Sequence, residues 1–155
     1  MITETEKFVS DIFVTLDVTK ENLQELYQDV GNELAKKNMV ESDYGKQLQQ
    51  REEKFPTGLV TKFGNVAIPH TDAKYVKEPF VYAIRLTDDV ITRRMDQPET
   101  EIPVNLLFVL GFTKGEDQLV LLTKMMQALN NERISKQFQQ VDSPERFKEV
   151  LKEQL

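Results

Sequence analysis

Residues 80–110 read FVYAIRLTDDVITRRMDQPETEIPVNLLFVL, with apolar and β-branched residues dominating both ends of the segment. Such runs are typical of strands buried in a sheet. The polar part between them, RRMDQPETE at residues 93–101, predicts a surface excursion. The strands that we predict for the central part of the chain are residues 66–68, 80–86, 89–91 and 102–110.

The sequence on the amino-terminal side of these strands predicts one more strand and two helices. Residues 13–18, FVTLDV, alternate with the period of a strand. Thr19 is suited to cap a helix that ends near Asn38, because apolar residues recur there at spacings of three and four. Ser42 is suited to cap a second, more polar helix, which Pro56 ends. The side chains that we expect these helices to bury are Leu23, Leu26, Tyr27, Val30, Leu34, Tyr44, Leu48 and Phe55.

Two further helices are predicted on the carboxyl-terminal side. One opens at Asp117 and has a broad apolar face, and the other starts at Ser143 and Pro144. Their expected inward residues are Leu119, Leu122, Met125, Met126 and Leu129, then Phe147, Val150 and Leu151. We interpret the two methionines as core residues, with a groove for a partner as the alternative. Helices therefore flank a central run of strands, which predicts an α/β fold.

The composition is that of an ordinary soluble domain. The chain has 155 residues, 39% of them hydrophobic and 30% charged, and a formal net charge of -6. This length predicts a single domain, residues 1–155, and the acidic balance disfavours nucleic acid as a general partner. The N-terminus resembles no export signal, and no apolar run approaches the length of a membrane span. We therefore expect a soluble protein without direct membrane insertion.

Scarce residue types exclude several kinds of site. The absence of cysteine excludes disulfides, thiolate zinc sites and cysteine nucleophiles, and it is consistent with a reducing cytoplasm. A single histidine excludes metal sites built from several histidines, and no phosphate-binding loop of the G-x-x-x-x-G-K-[ST] kind is present. The remaining candidate for chemistry is His70, whose unperturbed pKa lies near neutrality.

His70 follows the predicted strand 66–68 and Pro69, and this places it at the carboxyl end of a strand. Ends of strands are common positions for functional residues in sheet proteins. Position alone does not establish a role, because a structural histidine with satisfied hydrogen bonds fits the same pattern.

Two adjacent segments resemble a known family. They are residues 51–70, REEKFPTGLVTKFGNVAIPH, and residues 71–76, TDAKYV. They are similar to the phosphorylation-site region of enzyme IIA of the sugar phosphotransferase system (PTS), in the mannitol-fructose superfamily. In that family a helix ending in R-E-x-x-x-P-T leads into a glycine-containing strand, and A-I-P-H presents the phosphorylated histidine. The forms FPTGL and PHTDAKYV are most similar to the galactitol-like branch.

The resemblance implies both a fold and a function. The fold would be a three-layer α/β/α sandwich, with a mixed central β-sheet flanked by helices on both sides. The protein would be a cytoplasmic phosphotransferase component that accepts a phosphoryl group from the carrier protein HPr on Nε2 of His70. It would pass the group to a cysteine of an EIIB component, for uptake of a galactitol-like sugar through the membrane component EIIC. No cofactor, metal or nucleotide is implied.

The resemblance also assigns roles to residues around His70. Arg51 would bind phosphoryl oxygens through its planar guanidinium, where the alternative is a surface ion pair with Glu52 or with an acid of a neighbouring helix. Gln118 stands where mannitol- and fructose-type members carry a second histidine, and its amide is a candidate phosphoryl contact. Thr71 is a further candidate, with an ordinary turn role equally open, while Asp72 is expected only to shape the turn.

Two other functions are compatible with the same residues. An EIIA-like domain can act as a regulatory sensor whose phosphorylation state changes the affinity of a partner. A plain interaction module that kept the fold and lost phosphotransfer is the other alternative, and the missing second histidine is the one feature in its favour.

Overall fold

The computed structural model describes Val9 and residues 11–155, and the elements below are those of this part of the chain. In chain order they are β1 (Asp11–Val18), α1 (Leu23–Lys36), α2 (Tyr44–Lys54), β2 (Gly58–Thr61), β3 (Gly64–Ala67), a short 3-10 helix (Ala73–Tyr75), β4 (Phe80–Arg93), β5 (Glu101–Gly111), α3 (Gly115–Leu129), α4 (Glu132–Gln140) and α5 (Pro144–Gln154).

The described strands form one mixed sheet in the order β1-β4-β5-β3-β2. The central pair β4 and β5 is antiparallel, β1 runs parallel to β4, and β3 runs parallel to β5. The predicted strands 80–86 and 89–91 are two parts of the single strand β4, whose register shifts between Arg85 and Val90. The polar residues 87–89 at this irregularity are exposed, which is why the sequence suggested a break.

Successive side chains of the central strands point to opposite faces of the sheet and pack in two separate cores. Val81 and Ala83 of β4 pack on one face of the sheet with α3, α4 and α5, and Phe80 and Tyr82 pack on the other face with α1 and α2. Helices therefore cover both faces, and the predicted three-layer α/β/α arrangement is confirmed. Because the central strands are buried on both sides, they read as nearly continuous apolar runs.

The N-cap residues of the first two helices were both predicted wrongly. The first helix starts after Asn22, whose side chain accepts a hydrogen bond from the Glu25 N–H, while the Thr19 hydroxyl is bonded to that of Thr87. The second helix has Asp43 rather than Ser42 at its N-cap. By contrast, the Ser143 side chain caps α5 as predicted, by accepting from the Arg146 N–H.

The inward faces of two helices also differ from the prediction. Phe55 follows α2 and is 58% exposed, and in α3 Leu119 and Met126 are 73% and 41% exposed. The core side of α3 is carried by Leu121, Met125, Ala128 and Leu129. Only one face of such a helix packs on the sheet, so some apolar residues beside that face stay exposed.

The sequence pattern did not predict α4 as a helix. Its nine residues are mostly polar, and only Ile134, Ser135 and Phe138 are buried. The Asn131 side chain caps it by accepting from the Ile134 N–H. Along the described residues, we find no helix with the length and apolar character needed to cross a membrane.

Candidate functional site

His70 lies at the carboxyl end of β3, beside the end of β5. The Leu110 N–H donates to the Pro69 carbonyl at 2.9 Å, and His70 and Leu110 form an isolated parallel bridge. Because β3 and β5 are parallel, their carboxyl ends lie at the same edge of the sheet. The turn after β5 leads into α3, and it therefore brings α3 to the histidine.

The hydrogen bonds of His70 define its tautomer. Nδ1 lies 2.9 Å from the Ile68 carbonyl oxygen. A carbonyl only accepts hydrogen bonds, so Nδ1 carries the proton and Nε2 keeps its lone pair. The ring is buried, with 7% of the residue exposed, and its centroid is 5.9 Å from that of the Phe112 ring.

Burial is the main cause that lowers the pKa of His70 below its usual value. The hydrogen bond to the Ile68 carbonyl opposes this shift, the positive charge of Arg51 adds to it, and the charge of Asp72 opposes it. A lowered pKa favours the neutral ring at neutral pH. The site therefore holds an uncharged imidazole with a lone pair on Nε2.

Gln118 lies in the first turns of α3 and faces His70. Its side-chain Nε2 is 3.3 Å from Nε2 of the ring, so the amide N–H donates to the lone pair. The side chain is half-buried rather than a freely exposed helix residue. The structure thus brings together two of the predicted site residues, and the atom that Gln118 contacts is the nitrogen left without a proton.

Arg51 reaches the site from the last turns of α2. Its Nη1 lies 3.3 Å from Oδ1 of Asp72, and its guanidinium carbon lies 4.5 Å from the centre of the Phe55 ring. Arg51, Asp72 and Thr71 line a cleft of about 400 Å³. Asp72 was expected only to shape the turn, and in the structure it is also the ion-pair partner of Arg51.

Thr71 is buried, and its hydroxyl donates to the Asp72 carbonyl oxygen at 3.0 Å. This bond gives Thr71 a role in the turn after His70. The predicted contact of its hydroxyl with a phosphoryl group stays a prediction.

Glu52 is a residue of the site region whose role the sequence analysis missed. The sequence offers it as an ion-pair partner for Arg51, yet the residue is buried, with 7% of it exposed. It accepts from the Thr57 N–H at 2.9 Å, and it also accepts from the hydroxyls of Thr57 and Thr92. The signal was present, because Glu52 follows Tyr44 and Leu48 at a spacing of four, which places it on the buried face of α2.

The Glu52 hydrogen bonds connect α2 to Thr57 and to Thr92 of β4. Burial raises the pKa of Glu52, while its bonds to Thr57 and Thr92 and the charge of Arg93 oppose that shift. Thr57 also accepts, through its carbonyl, from the Ile68 N–H at 3.3 Å. The helix end that carries Arg51 is therefore tied to the segment leading to His70.

Among the described residues, no group of three or more His, Asp or Glu side chains is arranged to hold a metal ion. The groups near His70 are instead the Gln118 amide, the Ile68 carbonyl and the ion pair of Arg51 with Asp72. A guanidinium and an amide N–H bind anions, whereas a carbonyl orients the ring.

Comparison with known sequences identifies a family and similar proteins. Residues 7–154 match the family described as phosphoenolpyruvate-dependent sugar phosphotransferase system, EIIA 2. The chain is 29% identical over 114 residues to the galactitol-specific EIIA component of the PTS of Escherichia coli K12. The aligned region covers 74% of this chain and 75% of that protein.

Solved structures share the fold. The mannitol enzyme IIA of Escherichia coli, in a complex with phosphorylated enzyme IIB, matches with a TM-score of 0.65 and 21% identity, over 90% of this chain and 92% of that one. The nitrogen regulatory protein IIA-Ntr of Neisseria meningitidis matches with a TM-score of 0.65 and 25% identity, over 91% of this chain and 92% of that one.

Proposed function

Because this chain belongs to the EIIA 2 family of the phosphoenolpyruvate-dependent sugar phosphotransferase system, we propose that His70 accepts a phosphoryl group from HPr and passes it to a cysteine of an EIIB component. The observation that carries the proposal is the hydrogen bonding of the ring. The Ile68 carbonyl holds the proton on Nδ1, and the lone pair of Nε2 faces the Gln118 amide. A buried, neutral imidazole with a defined nucleophilic nitrogen is what a phosphoryl carrier requires.

In the first transfer, Nε2 of His70 attacks phosphorus and the nitrogen–phosphorus bond of the donor phosphohistidine breaks. The electron pair returns to the donor ring, which leaves as neutral imidazole when its other nitrogen carries a proton. His70 keeps its Nδ1 proton, so its ring becomes positively charged and no general base is needed. The Ile68 carbonyl accepts from that N–H and stabilises the charge.

We assign two side chains to the transferred group. The Gln118 amide donates to the Nε2 lone pair in the free protein, so it must yield that position and then donate to a phosphoryl oxygen instead. Arg51 supplies positive charge from the cleft beside the histidine turn. Phosphoryl transfer passes through a loose transition state, in which positioning and charge neutralisation are the main contributions.

In the second transfer, a cysteine thiolate attacks phosphorus and the bond to Nε2 breaks. Its electron pair returns to the ring, which is again neutral and protonated on Nδ1. The mannitol enzyme IIA that shares this fold forms a complex with phosphorylated enzyme IIB, which supports an EIIB partner. The galactitol-specific relative supports a galactitol-like sugar as the final acceptor. In this proposal the sugar enters through a membrane component EIIC, and the present protein carries the phosphoryl group in the cytoplasm.

Intact-mass spectrometry after incubation with phosphoenolpyruvate, enzyme I and HPr tests the first transfer. We expect one acid-labile phosphoryl adduct on the wild type and none on His70→Ala.

We expect Arg51→Ala to slow the transfer by about 10²-fold, the effect of losing one charged donor in the transition state. Arg94 offers a matched control, because it also forms an ion pair with an aspartate, and Arg94→Ala should transfer at the wild-type rate. An unchanged rate in Arg51→Ala would refute its assigned role.

A second function deserves a test because the chain is 25% identical to a nitrogen regulatory protein of the same fold. A regulatory sensor keeps its phosphoryl group until hydrolysis, whereas a transport component passes it to an EIIB cysteine. To separate the two functions, the phosphorylated protein is mixed with wild-type EIIB and, in parallel, with an EIIB Cys→Ser variant. A transport component loses its phosphoryl adduct to the wild-type EIIB and keeps it with the variant, whereas a regulatory sensor keeps it with both. No adduct on the folded wild type would instead favour an interaction module without phosphotransfer.

A further inference from the structure

An ion pair joins the two segments that flank the proposed phosphorylation site. Nη1 of Arg51, near the end of α2, lies 3.3 Å from Oδ1 of Asp72, two residues after His70. The Arg51 side chain is 33% exposed and that of Asp72 is 59% exposed. Exposed ion pairs contribute little to stability because water screens the charges. The carboxylate is therefore a partner that a stronger anion can replace.

Asp72 holds the guanidinium through a single nitrogen. The carbon of the guanidinium lies 4.5 Å from the centre of the Phe55 ring, in a cation–π contact. Its Nε is buried and has no hydrogen-bond partner among the residues that the structure describes. A guanidinium carries five N–H donors, of which one nitrogen is engaged by Asp72.

Both charges of the pair act on His70. The charge of Arg51 lowers the pKa of the ring and that of Asp72 raises it, each less strongly than burial lowers it. A phosphoryl group on Nε2 of the same ring would be exposed to the same two charges, with a larger negative charge than a carboxylate.

On the basis of the proposed function, we propose that Asp72 is a positioning residue that competes with the phosphoryl group of His70 for the guanidinium of Arg51. In the free protein the carboxylate holds the guanidinium beside the histidine turn. After transfer the phosphoryl oxygens take the guanidinium, and Asp72 is left without its partner and next to an anion of the same sign. This raises the free energy of the phosphorylated protein relative to the free one, so the group is passed on more readily.

The equilibrium between HPr and this protein measures the effect directly. A limiting amount of phosphoenolpyruvate with enzyme I phosphorylates a mixture of the two, and intact-mass spectrometry gives the phosphorylated fraction of each. We expect Asp72→Asn to shift the ratio toward the phosphorylated protein by about two- to fivefold, which is the size expected for one exposed ion pair. Asp72→Glu keeps the carboxylate and should restore the wild-type ratio.

A matched control is available at the turn after β4. Asp96 also pairs with an arginine, Arg94, and its side chain is 64% exposed, so Asp96→Asn removes a similar pair and should leave the ratio unchanged.

The variant Asp72→Asn in an Arg51→Ala background separates competition for Arg51 from direct repulsion between Asp72 and the phosphoryl group. We expect the shift to fall to less than half there, and an equal shift in both backgrounds overturns the proposal.

The outcomes separate this inference from the proposed function. If the wild type takes up no phosphoryl group, the proposed function fails. If the wild type is phosphorylated and Asp72→Asn gives the wild-type ratio, or shifts it toward HPr, only the role of Asp72 fails. Circular dichroism of each variant checks folding, and Asp72→Ser serves as a second substitution that removes the carboxylate.

Discussion

At the scale of single residues, burial and one backbone carbonyl prepare His70 for chemistry more than charged side chains do. The Ile68 carbonyl selects the tautomer, and burial keeps the ring neutral. The first effect comes from the path of the chain after β3, and Phe112, which follows β5, packs near the ring. A histidine on the surface would sample both tautomers and would titrate near a pKa of about 6.5.

The lowered pKa of His70 predicts the pH dependence of phosphoryl acceptance. Only the neutral ring is nucleophilic, and burial lowers the pKa, so the neutral form persists as the pH falls through 6.5, the ordinary value. We expect the rate of acceptance from phospho-HPr to fall on acidification only at a lower pH than it would for a histidine that titrates at about 6.5. Rapid-quench kinetics give the rate, and nitrogen NMR of the imidazole gives the pKa.

The NMR titration also tests the cause of the shift. In Arg51→Ala the pKa of His70 should rise toward its ordinary value, because a positive charge that opposes protonation has been removed. A wild-type pKa at or above 6.5, the ordinary value, would contradict the expected environment of the ring.

At the scale of elements, the close approach of α1 and α2 determines where Arg51 lies. A Cβ added to Gly31 would come within 2.6 Å of the Cα and N of Gly45. These are backbone atoms, so the added carbon cannot be accommodated by a side-chain rotation. Glycine at both positions lets the two helices pack in contact, with Arg51 about two turns further along α2.

We therefore expect Gly31→Ala to push α2 away from α1. The expected loss of stability is about 1–2 kcal/mol, since overpacking costs about 1–3 kcal/mol and alanine recovers part of this through helix propensity. Urea unfolding followed by circular dichroism measures the change. The transfer rate should fall as well, because α2 carries Arg51.

Gly115 provides the matched control for this substitution. It is the first residue of α3, and a Cβ added there meets no atom within 4 Å. Gly115→Ala should leave stability unchanged or slightly higher. If Gly31→Ala were as stable as Gly115→Ala, the helix contact would not constrain α2 in the way described.

At the scale of the whole molecule, the sheet separates two cores, and the carboxyl-terminal helices close one of them. Phe147 of α5 stacks on Phe138 of α4 with ring centres 4.9 Å apart, and Phe138 lies 5.1 Å from Phe108 of β5. All three rings are fully buried. This cluster connects the last two helices to the central sheet.

Phe147→Ala should consequently destabilise the whole domain. Truncation of a buried phenylalanine removes apolar contacts and leaves a cavity, at a cost of about 3–5 kcal/mol. Chemical denaturation, followed by both fluorescence and circular dichroism, measures the free energy of unfolding. One cooperative transition is expected, since both cores share the strands β4 and β5.

Leu119→Ala is the comparison variant for the core. The sequence pattern placed Leu119 inside, but it is 73% exposed, so its truncation should change stability by less than about 0.5 kcal/mol. Similar losses for Phe147→Ala and Leu119→Ala would contradict the burial described for α3 and α5.

The sequence alone predicted four of the five described strands, with β4 divided into two, most helices and the position of His70, because these depend on local patterns; the short strand β2 was not predicted. Alternation and apolar runs mark buried strands, and Ser143 followed by Pro144 marks a helix start. The caps at Thr19 and Ser42 were wrong because the Thr19 hydroxyl is engaged by Thr87, a residue distant in sequence, and the second helix begins after Asp43 rather than Ser42. Helix α4 was missed because its short, polar sequence carries few apolar residues.

What the sequence by itself determined is the α/β class, the lone candidate nucleophile His70 and the resemblance to an EIIA component, since residue identity and local spacing suffice for these. Only the tertiary structure decided the strand order, the contact of Gln118 with His70 and the pairing of Arg51 with Asp72. The two side-chain contacts join residues that are 48 and 21 positions apart, and the pairing of β1 with β4 joins residues still further apart. Such contacts depend on how the helices pack on the sheet, which no local pattern of residues specifies.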